Sequence, residues 1–207
     1  MIKTKVGLFG GTFNPIHNGH LIIANHVRSV FRLDKIIFVP SYAPPHKTEF
    51  LPPEHRSEMV RRAIRSNINF EISHMEIDRG GESYTLDTLQ YFLSLDNNKN
   101  KEVSFIIGSD AFTQIATWDD YKTLLSLCRF IVVTRPNQYQ IDAEAEKECD
   151  YTIKTLGLAD YNIEILSIPR IDISASYIRR SIRAKKSVQY LVPDIVIDYI
   201  SEKNLYL

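Results

Sequence analysis

Residues 10–20 read GGTFNPIHNGH, and this stretch joins the apolar run VGLF at residues 6–9 to the run LIIA at residues 21–24. The first run predicts a buried β-strand, and the second begins a helical spacing of apolar residues that continues to about residue 31. Gly10 and Gly11 would let a ligand approach the backbone closely, or would let the chain turn with positive φ. We therefore predict a strand-to-helix loop, with Asn18 as the helix cap and with His17 and His20 on either side of it.

The same alternation of short apolar runs and helical spacing repeats along the chain. Strands are predicted at residues 36–39, 70–73, 103–107, 130–134 and 163–168, and helices at residues 54–66, 84–95, 119–127, 143–155, 174–184 and about 193–203. Apolar strands separated by helices are typical of a parallel sheet with helices on both faces. We expect an α/β protein with a Rossmann-like doubly wound sheet, as a single domain over residues 1–207 with a small C-terminal helical portion. Ligands of such sheets bind at the carboxyl ends of the strands, where the opening stretch lies.

The composition narrows the possible classes of function. The 207 residues include 25 basic and 25 acidic side chains, and this zero net charge disfavours a nucleic-acid-binding surface. Cys128 and Cys149 show no CxxC spacing and are expected to be reduced thiols. No apolar run reaches transmembrane length, and the first residues do not resemble a signal peptide, so a cytoplasmic location is expected. The sequence leaves homo-oligomer formation open.

The opening stretch could bind phosphate. Free N–H groups at a helix start, the helix dipole and two imidazoles would all favour an anion. Other glycine-loop readings fit poorly, because no lysine follows as in a P-loop and Gly7, Gly10 and Gly11 do not form GxGxxG. A zinc site would need further ligands that do not stand out. The remaining alternative is an ordinary strand–helix turn with surface histidines.

A second polar cluster is ISASYIRR at residues 173–180. Ser174 is suited to cap a helix, Ser176 would lie in its first turn, and Arg179 would follow about one and a half turns after the cap. Hydroxyls and a guanidinium at a helix start suit a polyphosphate. On these residues alone, a capped amphipathic helix with solvated arginines is the favoured alternative.

One segment that follows a predicted strand could bind a nucleoside or a flat ring. In GSDAFTQIATWDD, residues 108–120, Asp110 could accept hydrogen bonds from a ribose and Trp118 could stack on a ring. The alternatives are a helix-capping aspartate and a half-buried core tryptophan.

Two further segments could bind small anions. In SYTLDT, residues 83–88, Ser83 is a candidate helix cap, and Tyr84 and Thr85 would lie in the first turn, where free N–H groups suit an anion. Simple capping is the alternative. Lys47, in the proline-rich stretch at residues 41–53, could reach a phosphate or could be a solvated loop lysine.

Both polar motifs resemble signatures of one superfamily. GGTFNPIHNGH is similar to the [GT]-F-[DN]-P-x-H-x-G-H signature of nucleotidyltransferases with the HxGH motif, and ISASYIR is similar to their second signature. PPHK, SYTLDT, IIGSDAF followed by TW, VVTRP and YLVPDIVIDYISEKNLY resemble the bacterial nicotinate-nucleotide adenylyltransferase family over nearly the whole chain. Two positions depart from the pattern: Asn14 stands where Asp is common, and Ala175 where many members have Ser.

The resemblance implies a reaction of NAD biosynthesis, in which ATP and nicotinate mononucleotide give deamido-NAD and pyrophosphate. The acceptor phosphate would attack the α-phosphorus directly, with no covalent intermediate. A Mg²⁺ ion would be held mainly by phosphates and water, without protein ligands. Related enzymes that use nicotinamide mononucleotide or phosphopantetheine, and a regulatory module that binds ATP without turnover, are the rival hypotheses.

The resemblance also assigns roles to residues. His17, His20 and Arg179 would be catalytic. The expected ATP-binding residues are Gly10, Gly11, Thr12, Phe13, Gly108, Asp110, Ser174, Ser176 and Arg179. The expected acceptor-binding residues are Lys47, Tyr84, Thr85, Trp118 and Arg135, with no specific contact assigned to Arg135.

Overall fold

Six parallel strands form one sheet in the computed structural model, which describes residues 3–43, 50–134, 142–168 and 171–207. The strands are β1 (Thr4–Gly11), β2 (Lys35–Pro40), β3 (Phe70–Ile72), β4 (Lys101–Gly108), β5 (Arg129–Thr134) and β6 (Ile163–Ser167). Their order across the sheet is β3-β2-β1-β4-β5-β6, and every neighbouring pair is parallel. This is the order of a Rossmann-like doubly wound sheet, so the predicted fold is confirmed.

Helices cover both faces of this sheet. They are α1 (Asn18–Val30), α2 (Pro53–Ile64), α3 (Met75–Arg79), α4 (Thr85–Ser94), α5 (Ser109–Phe112), α6 (Tyr121–Ser126), α7 (Asp142–Leu156), α8 (Ala175–Arg183) and α9 (Asp194–Glu202). Helices α1, α2, α8 and α9 share one apolar core with the sheet. Helices α4 to α7 share the core on the other face. Among the described residues, no helix is long and apolar enough to cross a lipid bilayer.

The position of β1 at the centre of the sheet places the site. Gly10 pairs with Val39 of β2, and Phe9 pairs with Ile106 of β4, so β1 ends beside both neighbours. The chain winds in opposite directions from β1 and β4, which opens a crevice between the loops that follow them. The HxGH stretch leaves β1 at this crevice.

Two short helices were not predicted from the sequence. Helices α3 and α5 contain five and four residues, too few to show a helical spacing of apolar residues. Helix α6 begins at Tyr121 rather than near residue 119, because Asp120 adopts a left-handed conformation and its carboxylate accepts a hydrogen bond from the Thr123 N–H. Helix α3 ends before Gly80 and Gly81, which both have positive φ.

Candidate functional site

A cavity of about 560 Å³ opens at the carboxyl ends of β1, β2 and β4. Its wall contains the segment Gly10, Gly11 and Thr12, the start of α4 with Tyr84 and Thr85, and also Gly108 and the half-buried Trp118. The volume falls in the range of small-ligand pockets. The structure thus brings together the glycine loop, the SYTLDT segment and the tryptophan that the sequence singled out separately.

A second depression, of about 690 Å³, lies at the opposite end of the sheet. Arg129 in its wall already pairs with Glu102 and Glu164, so its charge is balanced. Ligands of doubly wound sheets bind at the carboxyl ends of the strands, which favours the first cavity as the functional site.

Close packing, rather than a left-handed turn, explains Gly11 at the end of β1. The positive φ falls on Phe13, at 47°, and not on Gly10 or Gly11, which corrects one of the two expectations. A Cβ at Gly11 would lie 2.9 Å from the ring of Phe13. Gly19 has a similar role, because a Cβ there would lie 3.0 Å from Nδ1 of His17. The glycine of HxGH therefore allows the first histidine ring to lie against the helix start.

The histidine pair is held in one arrangement. The cap of α1 is His17 and not Asn18, whose side chain instead donates to the Tyr190 carbonyl at 2.7 Å. The His17 and His20 rings stack with centroids 3.7 Å apart. The His17 backbone N–H donates to Nδ1 of His20 at 3.2 Å, so this nitrogen must present a lone pair. In the neutral ring the proton then lies on Nε2, and His20 is a hydrogen-bond donor at that atom.

The second signature lies against the first in the structure. Ser174 caps α8 by accepting the Tyr177 N–H at 3.2 Å. Arg179 on the same helix donates from Nη1 to the Asn14 carbonyl at 2.8 Å and from Nη2 to the Ser176 hydroxyl at 3.3 Å. A guanidinium is therefore fixed at the HxGH loop across 165 residues of sequence.

The Asn14 side chain has a partner that the sequence did not predict. The Tyr206 hydroxyl donates to Asn14 Oδ1 at 2.8 Å, and the Leu51 N–H donates to the same oxygen at 3.4 Å. Burial raises the pKa of Tyr206, so the hydroxyl keeps its proton at neutral pH. An amide oxygen accepts these bonds as a carboxylate oxygen would, so neither contact requires an Asp at this position.

The start of α4 differs from the expected capped helix. Tyr84 is the cap and makes no capping bond through its side chain. Ser83 is not the cap, which corrects that prediction, because its hydroxyl accepts the Tyr42 N–H at 2.9 Å. The first turn of a ten-residue helix therefore begins at the cavity wall with Thr85 beside it. Such a helix start favours an anion.

Comparison with known proteins agrees with this geometry. The model of the cytidylyltransferase-like family matches residues 8–181. A Moorella thermoacetica protein named a probable nicotinate-nucleotide adenylyltransferase is 40% identical over 98% of this chain and 91% of its own length. One from Geobacter metallireducens with the same name is 39% identical over 98% of both chains. This chain belongs to the nicotinate-nucleotide adenylyltransferase family.

Solved structures of another adenylyltransferase share the fold. Plasmodium falciparum nicotinic acid mononucleotide adenylyltransferase complexed with NaAD has a TM-score of 0.77 at 22% identity, covering 98% of this chain and 97% of that chain. The same enzyme complexed with APC gives a TM-score of 0.75 at 20% identity, with the same coverage. At this identity the likeness establishes the fold alone.

Glu76 is a buried residue of this adenylyltransferase-family site that sequence reasoning missed. It lines the cavity, is 6% exposed, and accepts a 2.6 Å hydrogen bond at Oε1 from the Thr88 hydroxyl. Its Oε2 has no hydrogen-bond partner within the part of the chain that the structure describes. Burial raises the pKa of Glu76, although the hydroxyls of Ser83 and Thr88 and the charge of Arg79 act in the opposite direction. In the sequence, Glu76 lies in a polar segment that predicts exposure.

Arg56 was missed for the same reason. It belongs to α2, among charged neighbours, yet its side chain is 0% exposed. Burial lowers its pKa, and the carboxylates of Glu54 and Glu76 act in the opposite direction.

The remaining predicted residues fall into three groups. Asp110 lies exposed in the first turn of α5, next to the cavity residues Gly108 and Ala111 but outside the wall itself. Lys47 and Arg135 lie outside the described residues, so both predictions stay untested. Burial raises the pKa of Cys128 to about 12 and that of Cys149 to about 11, which makes both free thiols poor nucleophiles.

No group of three or more His, Cys, Asp or Glu side chains that could hold a metal ion occurs within residues 3–43, 50–134, 142–168 and 171–207.

Proposed function

We propose that this protein transfers the adenylyl group of ATP to nicotinate mononucleotide, giving deamido-NAD and pyrophosphate. The observation that carries the proposal is the single cavity that joins the end of β1 to the start of α4, with Trp118 in its wall. The family of the chain and the HxGH geometry support the same reaction.

The chemistry needs no nucleophile from the protein. A phosphate oxygen of the acceptor attacks the α-phosphorus of ATP, a new P–O bond forms, and the bond to the bridging oxygen of the pyrophosphate breaks. The second pKa of a phosphate monoester is about 6, so the attacking group is already ionised at neutral pH. The task of the protein is to position the reactants and to stabilise negative charge.

The histidine loop would supply that stabilisation. Stacking and the backbone bond to Nδ1 fix the His20 ring, so Nε2 is preorganised as a donor to a phosphate oxygen. Arg179 would bind the β- and γ-phosphates with Ser174 and Ser176, from a position fixed by its bond to the Asn14 carbonyl. The segment Gly10–Phe13 would hold the nucleotide beside them.

The acceptor would occupy the wall formed by α4 and Trp118. The indole would stack on the pyridine ring, and the N–H groups and Thr85 hydroxyl at the start of α4 would bind the ring carboxylate. Tyr84 would flank the same group. Lys47 would reach the acceptor phosphate, and Arg135 would lie near the nucleotide.

Mg²⁺ fits this proposal as an ion that enters with the nucleotide. When bound, it would neutralise part of the charge on the phosphate oxygens. Asp110, at the carboxyl end of β4, would contact a ribose or the water shell of the ion.

The test is pyrophosphate release from ATP with each candidate acceptor: nicotinate mononucleotide, nicotinamide mononucleotide and phosphopantetheine. We expect turnover with the first and a fall of about 10²–10³ in kcat for His20→Ala, because one preorganised donor is lost. His26→Ala, on the same helix, is the matched control and should retain activity. ATP binding without pyrophosphate release would support a regulatory module instead and would refute the proposed reaction.

A further inference from the structure

The Arg56 guanidinium connects three separate segments around the cavity. Nε donates to the Leu51 carbonyl, Nη1 to the Thr12 carbonyl and Nη2 to the Tyr42 carbonyl, each at 2.8 Å. Thr12 follows β1, Tyr42 follows β2, and Leu51 precedes α2. One buried side chain therefore fixes the chain at the ends of two adjacent strands and at the start of a helix.

Stability alone does not explain this arrangement. Removing a guanidinium from water carries a large desolvation penalty, and here the partners of Arg56 are neutral carbonyls. Apolar residues of similar volume often stabilise such positions as well or better. Only the planar guanidinium of an arginine fixes the direction of several hydrogen bonds at once. The geometry around Arg56 therefore points to a role in positioning.

The hydrogen bonds continue from Arg56 to the start of α4. The Tyr42 N–H donates to the Ser83 hydroxyl at 2.9 Å, and the Ser83 N–H donates to the Ala43 carbonyl at 3.0 Å. Ser83 immediately precedes Tyr84, the cap of α4. A continuous path thus runs from Thr12, within the predicted ATP loop, through Arg56 and Tyr42 to the helix that lines the other side of the cavity.

We propose that Arg56 is a positioning residue that sets the distance between the adenylyl-donor subsite and the acceptor subsite. This inference rests on the proposed function. Transfer requires the reacting atoms to be about 3–3.5 Å apart, and a displacement of about 1 Å can lower the rate about 10²-fold. Arg56 is 0% exposed and offers no surface to either substrate, so the rate should fall far more than the affinity for either substrate alone.

The experiment compares Arg56→Lys with Arg61→Lys on the same helix. Arg61 is an exposed partner of Glu58, so its variant controls for loss of an arginine from α2. We expect Arg56→Lys to lower kcat about 10²-fold, while the separately titrated dissociation constants of an unreactive ATP analogue and of nicotinate mononucleotide stay close to wild type. Ser83→Ala breaks the next bond of the path, with Arg56 intact, and should lower kcat in the same direction.

Amide hydrogen exchange gives a readout that does not depend on turnover. We expect faster exchange in the segments around Tyr42 and Ser83 in Arg56→Lys and unchanged exchange there in Arg61→Lys. Wild-type kcat in Arg56→Lys, unchanged exchange, or affinities for both substrates that fall in parallel with the rate would each overturn the inference. If the wild-type protein uses a different acceptor, the proposed function fails, and the same comparison of kcat with affinity is made with that acceptor.

Discussion

Replacing Tyr206 by phenylalanine removes one hydroxyl that supports the HxGH loop from 192 residues away. The hydroxyl donates to Asn14 Oδ1 at 2.8 Å, where Tyr206 is 8% exposed and Asn14 is 6% exposed. The phenylalanine ring fills the same space, so apolar packing is retained. The variant therefore isolates the effect of a single buried hydrogen bond on stability and on activity.

The size of the effect follows from what the amide oxygen retains. A buried polar group that loses its partner destabilises a protein by about 1–3 kcal/mol. Asn14 Oδ1 still accepts the Leu51 N–H, but at 3.4 Å, so we expect about 1–2 kcal/mol. For a domain of this size, 1 kcal/mol lowers Tm by about 2–4 °C, which predicts a fall of about 2–8 °C in a thermal scan.

The kinetic effect of Tyr206→Phe should be confined to the KM for ATP. The backbone carbonyl of Asn14 holds Arg179 at 2.8 Å, so a loosened Asn14 should raise the KM for ATP and leave the KM for the acceptor nearly unchanged. Tyr199→Phe is the matched control, since its hydroxyl makes a 2.8 Å bond to Nδ1 of His55, away from the loop. We expect that control to lower Tm without changing the KM for ATP.

Two results would refute this reasoning about Tyr206. A Tm equal to that of the wild-type protein would show that the hydroxyl does not support the loop. Equal KM values for ATP in Tyr206→Phe and Tyr199→Phe would show that any loss of stability does not reach Arg179.

Four further substitutions test separate parts of the site. Arg179→Lys should raise the KM for ATP but not the KM for the acceptor, because an ammonium point charge replaces a planar guanidinium. A change in the acceptor KM alone would contradict the assignment of Arg179 to the ATP phosphates. Thr85→Val should narrow the preference for nicotinate over nicotinamide mononucleotide by about tenfold in kcat/KM, because a charge-assisted hydrogen bond contributes about 1.5–3 kcal/mol. Trp118→Ala should instead lower kcat/KM equally for both acceptors. The pKa of Glu76 is raised in the folded protein, so its stabilising contribution is complete below the unfolded pKa and is lost as pH rises through the folded value. Glu76→Gln should therefore gain stability relative to wild type as the pH rises above the ordinary pKa of a glutamate, measured by urea unfolding, and a pH-independent difference would contradict the burial argument.

The sequence predicted those features that depend on local patterns. Apolar runs identified all the strands of the sheet, and the two signatures located His17, His20 and Arg179 at one end of it. The tryptophan and the SYTLDT segment were predicted to bind one acceptor, and both line the same cavity. Each of these features is written in residue types over a short stretch.

The features that the sequence did not predict depend on contacts between distant segments. Arg56 reaches Thr12 across 44 residues, and Tyr206 reaches Asn14 across 192, so no local spacing could indicate either bond. Ser83 has the residue type and position of a helix cap, but the Tyr42 N–H competes for its hydroxyl. Tertiary contacts decided the role of each of these polar side chains, and residue type alone could not.

The bond between Asn14 and Tyr206 also has a consequence for synthesis of the protein. A ribosome adds about 5–20 residues per second, so roughly 10–40 s separate the synthesis of these two positions. During that interval Asn14 lacks the Tyr206 hydroxyl, although every strand of the sheet has already been made by the time residue 167 is added. The nascent chain can therefore form its sheet before the HxGH loop gains this support. If ATP binds the completed loop as proposed, it would assist only the last stage of folding.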